Sequence, residues 1–235
     1  MAVSLANLRA ANEKRWAAAK LTRPFSSAAE RLLAAKSRYQ AVEAKTGVPW
    51  FVIAVIHERE SSQLWSASLA QGDPWNRVST HVPKGRGPFK SWEEAAIDAL
   101  VNCAPYAARN KDWSVGGALL MLEQYNGLGY AAKGVPSPYL WAGTDQYIAG
   151  KYVKDGVYDT TAVDKQLGCA GMIKALMALD GSIRFVTAGA PTKRKDSPAA
   201  TAGPPSPIPT QTDQSPSAWA AFFMAVLGLF KRGSK

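Results

Sequence analysis

Two carboxylates, Glu58 and Glu60, stand at the end of an almost uninterrupted apolar run, Trp50-Phe-Val-Ile-Ala-Val-Ile, that reaches them through His57. A run of that length with no Gly or Pro after Pro49 predicts a buried helix over about 49–62. Pro49 fits its first turn, where the missing N–H costs nothing. A carboxyl at the end of such a helix is partly desolvated, and desolvation raises its pKa towards neutrality. A carboxyl still protonated near neutral pH can protonate a leaving sugar oxygen, the opening step of glycoside cleavage. On a helix Glu60 shares a face with Ile53 and Ile56, and Glu58 shares one with Phe51 and Ala54. Periodicity therefore does not separate the two. The same residues also read as a helix whose charged end simply meets water.

A hydrolase that inverts needs a second carboxylate roughly 6.5–9.5 Å from the acid. Asp73, in the loop after the helix, is placed to project as such a base, and it equally fills the turn word Gly72-Asp73-Pro74. His57 reads as a groove residue or as a satisfied structural histidine. His57-Glu58-Arg59-Glu60-Ser61 is not the zinc-protease motif, because Ser61 stands where a second His is required. With His57 and His81 alone, and Cys103 and Cys169 far apart, no metal site and no cofactor are expected. The two cysteines are read as buried thiols rather than a disulfide.

These groups must be carried by a predominantly helical domain. The chain has 235 residues, 47% of them hydrophobic and 20% charged, which is a globular composition. Amphipathic spacing predicts helices within residues 1–45, one of them over 28–45, started by Ser26 or Ser27 with Glu30 and stopped by Gly47. Further helices are expected over 91–102, 114–125 and 164–180. The stretches 70–88 and 127–143 are rich in Gly and Pro and read as loops, the first long enough to be functional. No alternating strand stands out. Residues 46–188 form the expected catalytic domain, with 1–45 packed on it. A Pro/Thr/Ser/Gln-rich linker over 189–217 precedes an apolar tail over 218–235, whose segment 218–230 is expected to associate with membranes.

The net charge of +10 calls for an anionic partner, whether nucleic acid, a membrane surface or bacterial cell wall. No recognition-helix pattern, RNA-binding aromatic word or zinc finger supports nucleic acid, so none is expected. The first residues lack the pattern of a secretory signal. Synthesis in the cytoplasm followed by release to the wall is the expectation.

Arg59-Glu60-Ser61 after its apolar helix resembles the Glu-Ser signature of the lysozyme-like superfamily, in goose-type lysozymes and soluble lytic transglycosylases. Tyr125-Asn126-Gly127 resembles the transglycosylase Tyr-Asn-Gly word. Gly72-Asp73-Pro74, Thr80-His81-Val82-Pro83 and Pro138-Tyr139-Leu140-Trp141 are similar to words of bacterial and phage "lysozyme family" proteins. The similarity spans residues 46 to 159, about half the chain. His57-Glu58 separately resembles the His-Glu word of plant-type chitinases, which would make Glu58 the acid. The three-residue match favours Glu60.

The resemblance implies a lysozyme-like helical fold and cleavage of peptidoglycan strands between N-acetylmuramic acid and N-acetylglucosamine. Glu60 would be the acid, and Tyr125 and Asn126 would orient the sugar, though they equally read as a core aromatic and a helix C-cap before Gly127. Tyr139, Trp141 and Tyr147 read either as sugar-stacking faces or as core. It leaves open whether Asp73 activates water or Glu60 alone serves a lytic transglycosylase, in which the sugar's own C6 hydroxyl closes a 1,6-anhydro ring. The other expectation is a non-catalytic wall-binding or virion structural module on the same fold.

Overall fold

The computed structural model describes residues 3–70, 72–154 and 156–186. They form nine α-helices, one 3₁₀ turn and one small hairpin: α1 Leu5–Ala18, α2 Ser26–Ala34, α3 Lys36–Thr46, α4 Trp50–Ser61, α5 Trp92–Asn102, α6 Val115–Asn126, α7 Gly129–Ala132, α8 Pro138–Trp141, β1 Lys151–Lys154, β2 Val157–Asp159 and α9 Cys169–Leu179. The expected linker and apolar tail lie outside the described residues. Among the described residues no helix is long and apolar enough to cross a membrane.

The centre is α4. Every residue from Trp50 to His57 is buried, because α2, α3, α6 and α9 surround it on all sides. Ile53 and Ile56 are fully enclosed, and burying each contributes about 1.5–3 kcal/mol. Pro49 stands one position earlier than expected, as the N-cap. Local chemistry starts the other helices. Ser91 accepts from the Glu94 N–H to cap α5, while the Glu94 carboxylate reaches back to the Lys90 N–H. Ser114 caps α6 and Ser137 caps α8, which opens with Pro138 at its first turn.

Three expectations need correcting. The helix over 28–45 is two helices, since the chain leaves helical geometry at Ala35 (φ −94°, ψ 9°). The last helix begins at Cys169, not 164, and residues 160–168 are a loop whose Asp164 turns inward. The domain also holds a strand pair: Lys151 to Lys154 runs antiparallel to Val157 to Asp159, with Gly156 at φ +68° in the connection. A cluster of Tyr130, Tyr152 and Tyr158 edges packs this hairpin onto the start of α7. The stretch 127–143 carries two short helices within the expected loop. The second of them, α8, lies between α6 and α9. It sits so close to α9 that a Cβ on Gly168 would meet the Leu140 carbonyl oxygen at 2.4 Å.

Candidate active site

Glu60 occupies the last turn of α4, immediately before the chain reverses. Ser62 (φ 53°) and Gln63 (φ 58°) are both left-handed, a conformation that non-glycine residues hold only under constraint. The constraints are visible. The Gln63 amide donates to the Arg31 carbonyl and to the Tyr39 hydroxyl, each at 3.1 Å. His57 Nε2 donates to the Leu64 carbonyl at 3.1 Å, and the Tyr39 hydroxyl donates to His57 Nδ1 at 3.0 Å. The turn that ends the helix at Glu60 is thus tied from α2, α3 and α4 itself.

Glu60 is 7% exposed, and its Oε1 accepts a 2.9 Å hydrogen bond from the hydroxyl of Tyr139, which is itself fully buried. Burial pushes the Glu60 carboxyl up to about 8, against the Tyr139 hydrogen bond and the Arg59 charge, which pull it down. It is therefore protonated at neutral pH. Arg59 pulls weakly because its charge is already matched. Its guanidinium is buried, pairs with Asp164 at 3.0 Å, reaches the Leu167 carbonyl at 3.4 Å and lies 4.9 Å over the Tyr139 ring. Lys151 adds a second cation to Asp164 at 3.5 Å.

Geometry separates the two carboxylates that periodicity left equal. Glu58, with a side chain 17% exposed, pairs with Arg31 at 3.1 Å. One of its carboxylate oxygens is thus engaged by a guanidinium at the surface of α2. Glu60 has the single neutral donor.

Tyr125 is buried beside Glu60, and its hydroxyl donates to the Leu69 carbonyl at 3.2 Å. Burial raises this phenol, and an ionised Glu60 raises it further, which places the two groups in one electrostatic neighbourhood. Asn126 is half-buried and donates to the Ser137 hydroxyl at 3.2 Å. Tyr125, Tyr139 and Glu60 are therefore brought together, with Asn126 holding the segment that carries Tyr139.

Other expected site residues have different surroundings. His57 is fully buried with both ring nitrogens engaged, and burial pushes it down to about 4, so it braces the helix end and offers nothing to a sugar. Trp141 and Tyr139 are fully buried and present no stacking face. Tyr147 is also buried, and its hydroxyl accepts from the Asp164 N–H at 3.1 Å. Asp73 organises its own loop: Oδ2 accepts from the N–H groups of Thr80 and His81, and Oδ1 pairs with His81 Nδ1 at 2.6 Å. Against the burial that would raise it, these bonds from His81 and Thr80 hold its carboxyl low.

Two residues escaped sequence reasoning. Asp164 carries no local signal for a partner 105 residues away. Glu123 on α6 is 2% exposed, and burial pushes its carboxyl up to about 8. Its spacing within Leu119-Leu-Met-Leu-Glu123 gave no hint that a neighbouring helix would cover it. Cys103 and Cys169 are buried free thiols. Among the described residues no group of three or more His, Cys, Asp or Glu is placed to hold a metal ion. No family model, curated protein or solved structure matches this chain.

Proposed function

We propose that the chain is a peptidoglycan-degrading glycosidase with a lysozyme-like fold, in which Glu60 is the general acid. The observation that carries this reading is a buried carboxyl at the end of the central helix, kept protonated by burial and aimed by one tyrosine. Glu60 gives its proton to the oxygen linking N-acetylmuramic acid to N-acetylglucosamine as the C1–O bond breaks. The Tyr139 hydroxyl then donates to the carboxylate that remains and stabilises it. Glu60 next accepts a proton from the incoming hydroxyl.

The engagement of both Asp73 oxygens favours the course that needs one carboxyl. In that course the C6 hydroxyl of the sugar gives its proton to Glu60 while its oxygen bonds to C1, closing a 1,6-anhydro ring. The net charge of +10 suits an anionic wall polymer.

Clearing of isolated cell walls by three proteins tests the assignment. Wild type and Glu58→Gln should clear them, and Glu60→Gln should bind them without clearing. Activity in Glu60→Gln with loss in Glu58→Gln would move the acid to Glu58.

A further inference from the structure

The aromatic residues expected to stack on sugar, Tyr139, Trp141 and Tyr147, are buried, yet two tyrosines of the hairpin are not. Tyr152 and Tyr158 stand directly opposite each other in the antiparallel register, so both rings leave the same face of the hairpin. Both are half-buried, and with Tyr130 they make three edge-to-face contacts, with centroids 5.2, 5.4 and 6.1 Å apart. The Tyr130 hydroxyl accepts from the Tyr152 N–H at 3.1 Å and ties the strand to α7. A side chain at Gly150 would collide with the Tyr158 hydroxyl, so that ring lies against bare backbone. None of the three rings is stacked flat on another.

Lys133 marks the side from which the rings are reached. It is exposed, and its Nζ lies 5.0 Å from the Tyr158 ring centre and 5.8 Å from that of Tyr152. Among the described residues no carboxylate forms an ion pair with it. The hairpin is also tied to the acid. Lys151, the residue before Tyr152, meets Asp164 at 3.5 Å, Asp164 holds Arg59 at 3.0 Å, and Arg59 precedes Glu60 in α4.

We propose that Tyr152, Tyr158 and Lys133 form a binding platform for the peptidoglycan strand, the rings taking the apolar face of an N-acetylated sugar and Lys133 a carboxylate of the muramyl peptide stem. The inference rests on peptidoglycan being the substrate. The C–H groups on one face of a pyranose ring carry slight positive charge and meet the negative face of an aromatic ring. A lysine beside those faces adds recognition of charge, because the stem peptides of this polymer are anionic. The platform holds the strand equally before and during bond breaking. Its contribution therefore lowers KM and leaves kcat where it is.

The test uses the full chain with Tyr152→Ala, Tyr152→Phe, Tyr158→Ala and Lys133→Gln. Binding is read by sedimentation with purified peptidoglycan and by calorimetry with a neutral N-acetylglucosamine hexamer, both in the Glu60→Gln background so that cleavage does not intervene. In the wild-type background kcat and KM are read on peptidoglycan. Each alanine variant should weaken both ligands about tenfold and raise KM with kcat little changed. Tyr152→Phe keeps the ring and should bind as its parent does. Lys133→Gln should weaken peptidoglycan about threefold, remove part of its salt dependence and leave the hexamer untouched. Lys133 is exposed, so Lys133→Gln keeps the fold and decides the matter should an alanine change unfold the hairpin. Parental binding in the folded variants, or a loss in Tyr152→Phe equal to that in Tyr152→Ala, overturns the proposal. Weakened binding in the platform variants with full clearing by Glu60→Gln would keep the platform and reject Glu60 as the acid. A parent chain that binds neither ligand would overturn the platform and the peptidoglycan reading together.

Discussion

The Tyr139 hydroxyl meets Glu60 Oε1 at 2.9 Å across 79 residues of sequence, and both side chains are buried. This contact joins the end of the central helix to a four-residue helix held between α6 and α9. In the proposed reaction it aims the Glu60 carboxyl and stabilises the charge left behind when the proton departs.

Tyr139→Phe keeps the ring and removes the donor. A hydrogen bond to a charged group contributes about 1.5–3 kcal/mol, so kcat should fall roughly 10- to 100-fold. Activity that requires protonated Glu60 declines above its pKa, near 8 in the wild type. The alkaline limb of the rate profile should therefore move to higher pH in the variant. A profile with wild-type rate and position would show that the hydroxyl does not act on the acid.

Glu60 and Glu123 set a pH dependence of stability. Both carboxyls are pushed to about 8 from an ordinary value of 4.5. Below pH 4.5 they are protonated in the folded and unfolded chain alike, and they cost nothing. Between 4.5 and 8 the unfolded chain releases protons that the folded chain keeps, so stability falls as pH rises. Glu60→Gln removes its share of this fall. Its urea stability relative to wild type should be about 2–4 kcal/mol better at pH 8 than at pH 4.5. An equal difference at both pH values would mean that Glu60 titrates normally.

The buried Arg59–Asp164 pair shields the acid from a bare cation. Asp164→Asn leaves Arg59 charged and its main partner gone, which should cost about 3–5 kcal/mol in chemical denaturation. The uncompensated charge should also lower the Glu60 pKa and draw the alkaline limb down, opposite to Tyr139→Phe. A loss below 1 kcal/mol would mean that water or a backbone carbonyl compensates the guanidinium in place of Asp164.

His57 should be neutral far below the ordinary histidine pKa of 6.5, since burial pushes it down to about 4. The unfolded chain gains a proton between pH 6.5 and 4 that the folded chain does not, so this group removes stability as pH falls through that window. Leu64 offers only an acceptor and Tyr39 donates, which fixes the proton on Nε2. Nitrogen NMR at pH 5.5 should show the neutral Nε2–H tautomer. A cationic ring at that pH would contradict the bracing role.

The central helix and the carboxyl buried at its end were legible in the sequence because seven apolar residues in a row can only be buried, and the charges that follow mark the end. The break at Ala35 was not, since both flanking segments favour helix and tertiary packing bends the chain between them. The hairpin escaped because strands of four and three residues are too short to show alternation. Tyr139 was read as a stacking face or a core aromatic, and not as the partner of Glu60. Its direction depends on α8 being held by Ser137, Gly168 and Asn126, contacts that no local spacing encodes. Glu123 and Asp164 were hidden for the same reason. Each is an ordinary surface charge until a distant helix covers it.

The central claim is tested most directly by digesting purified peptidoglycan with wild type and Glu60→Gln and weighing the released muropeptides. The account predicts release by wild type alone, with products one water lighter that carry 1,6-anhydro ends. Equal release by Glu60→Gln, or wall binding by wild type with no release at all, would contradict it.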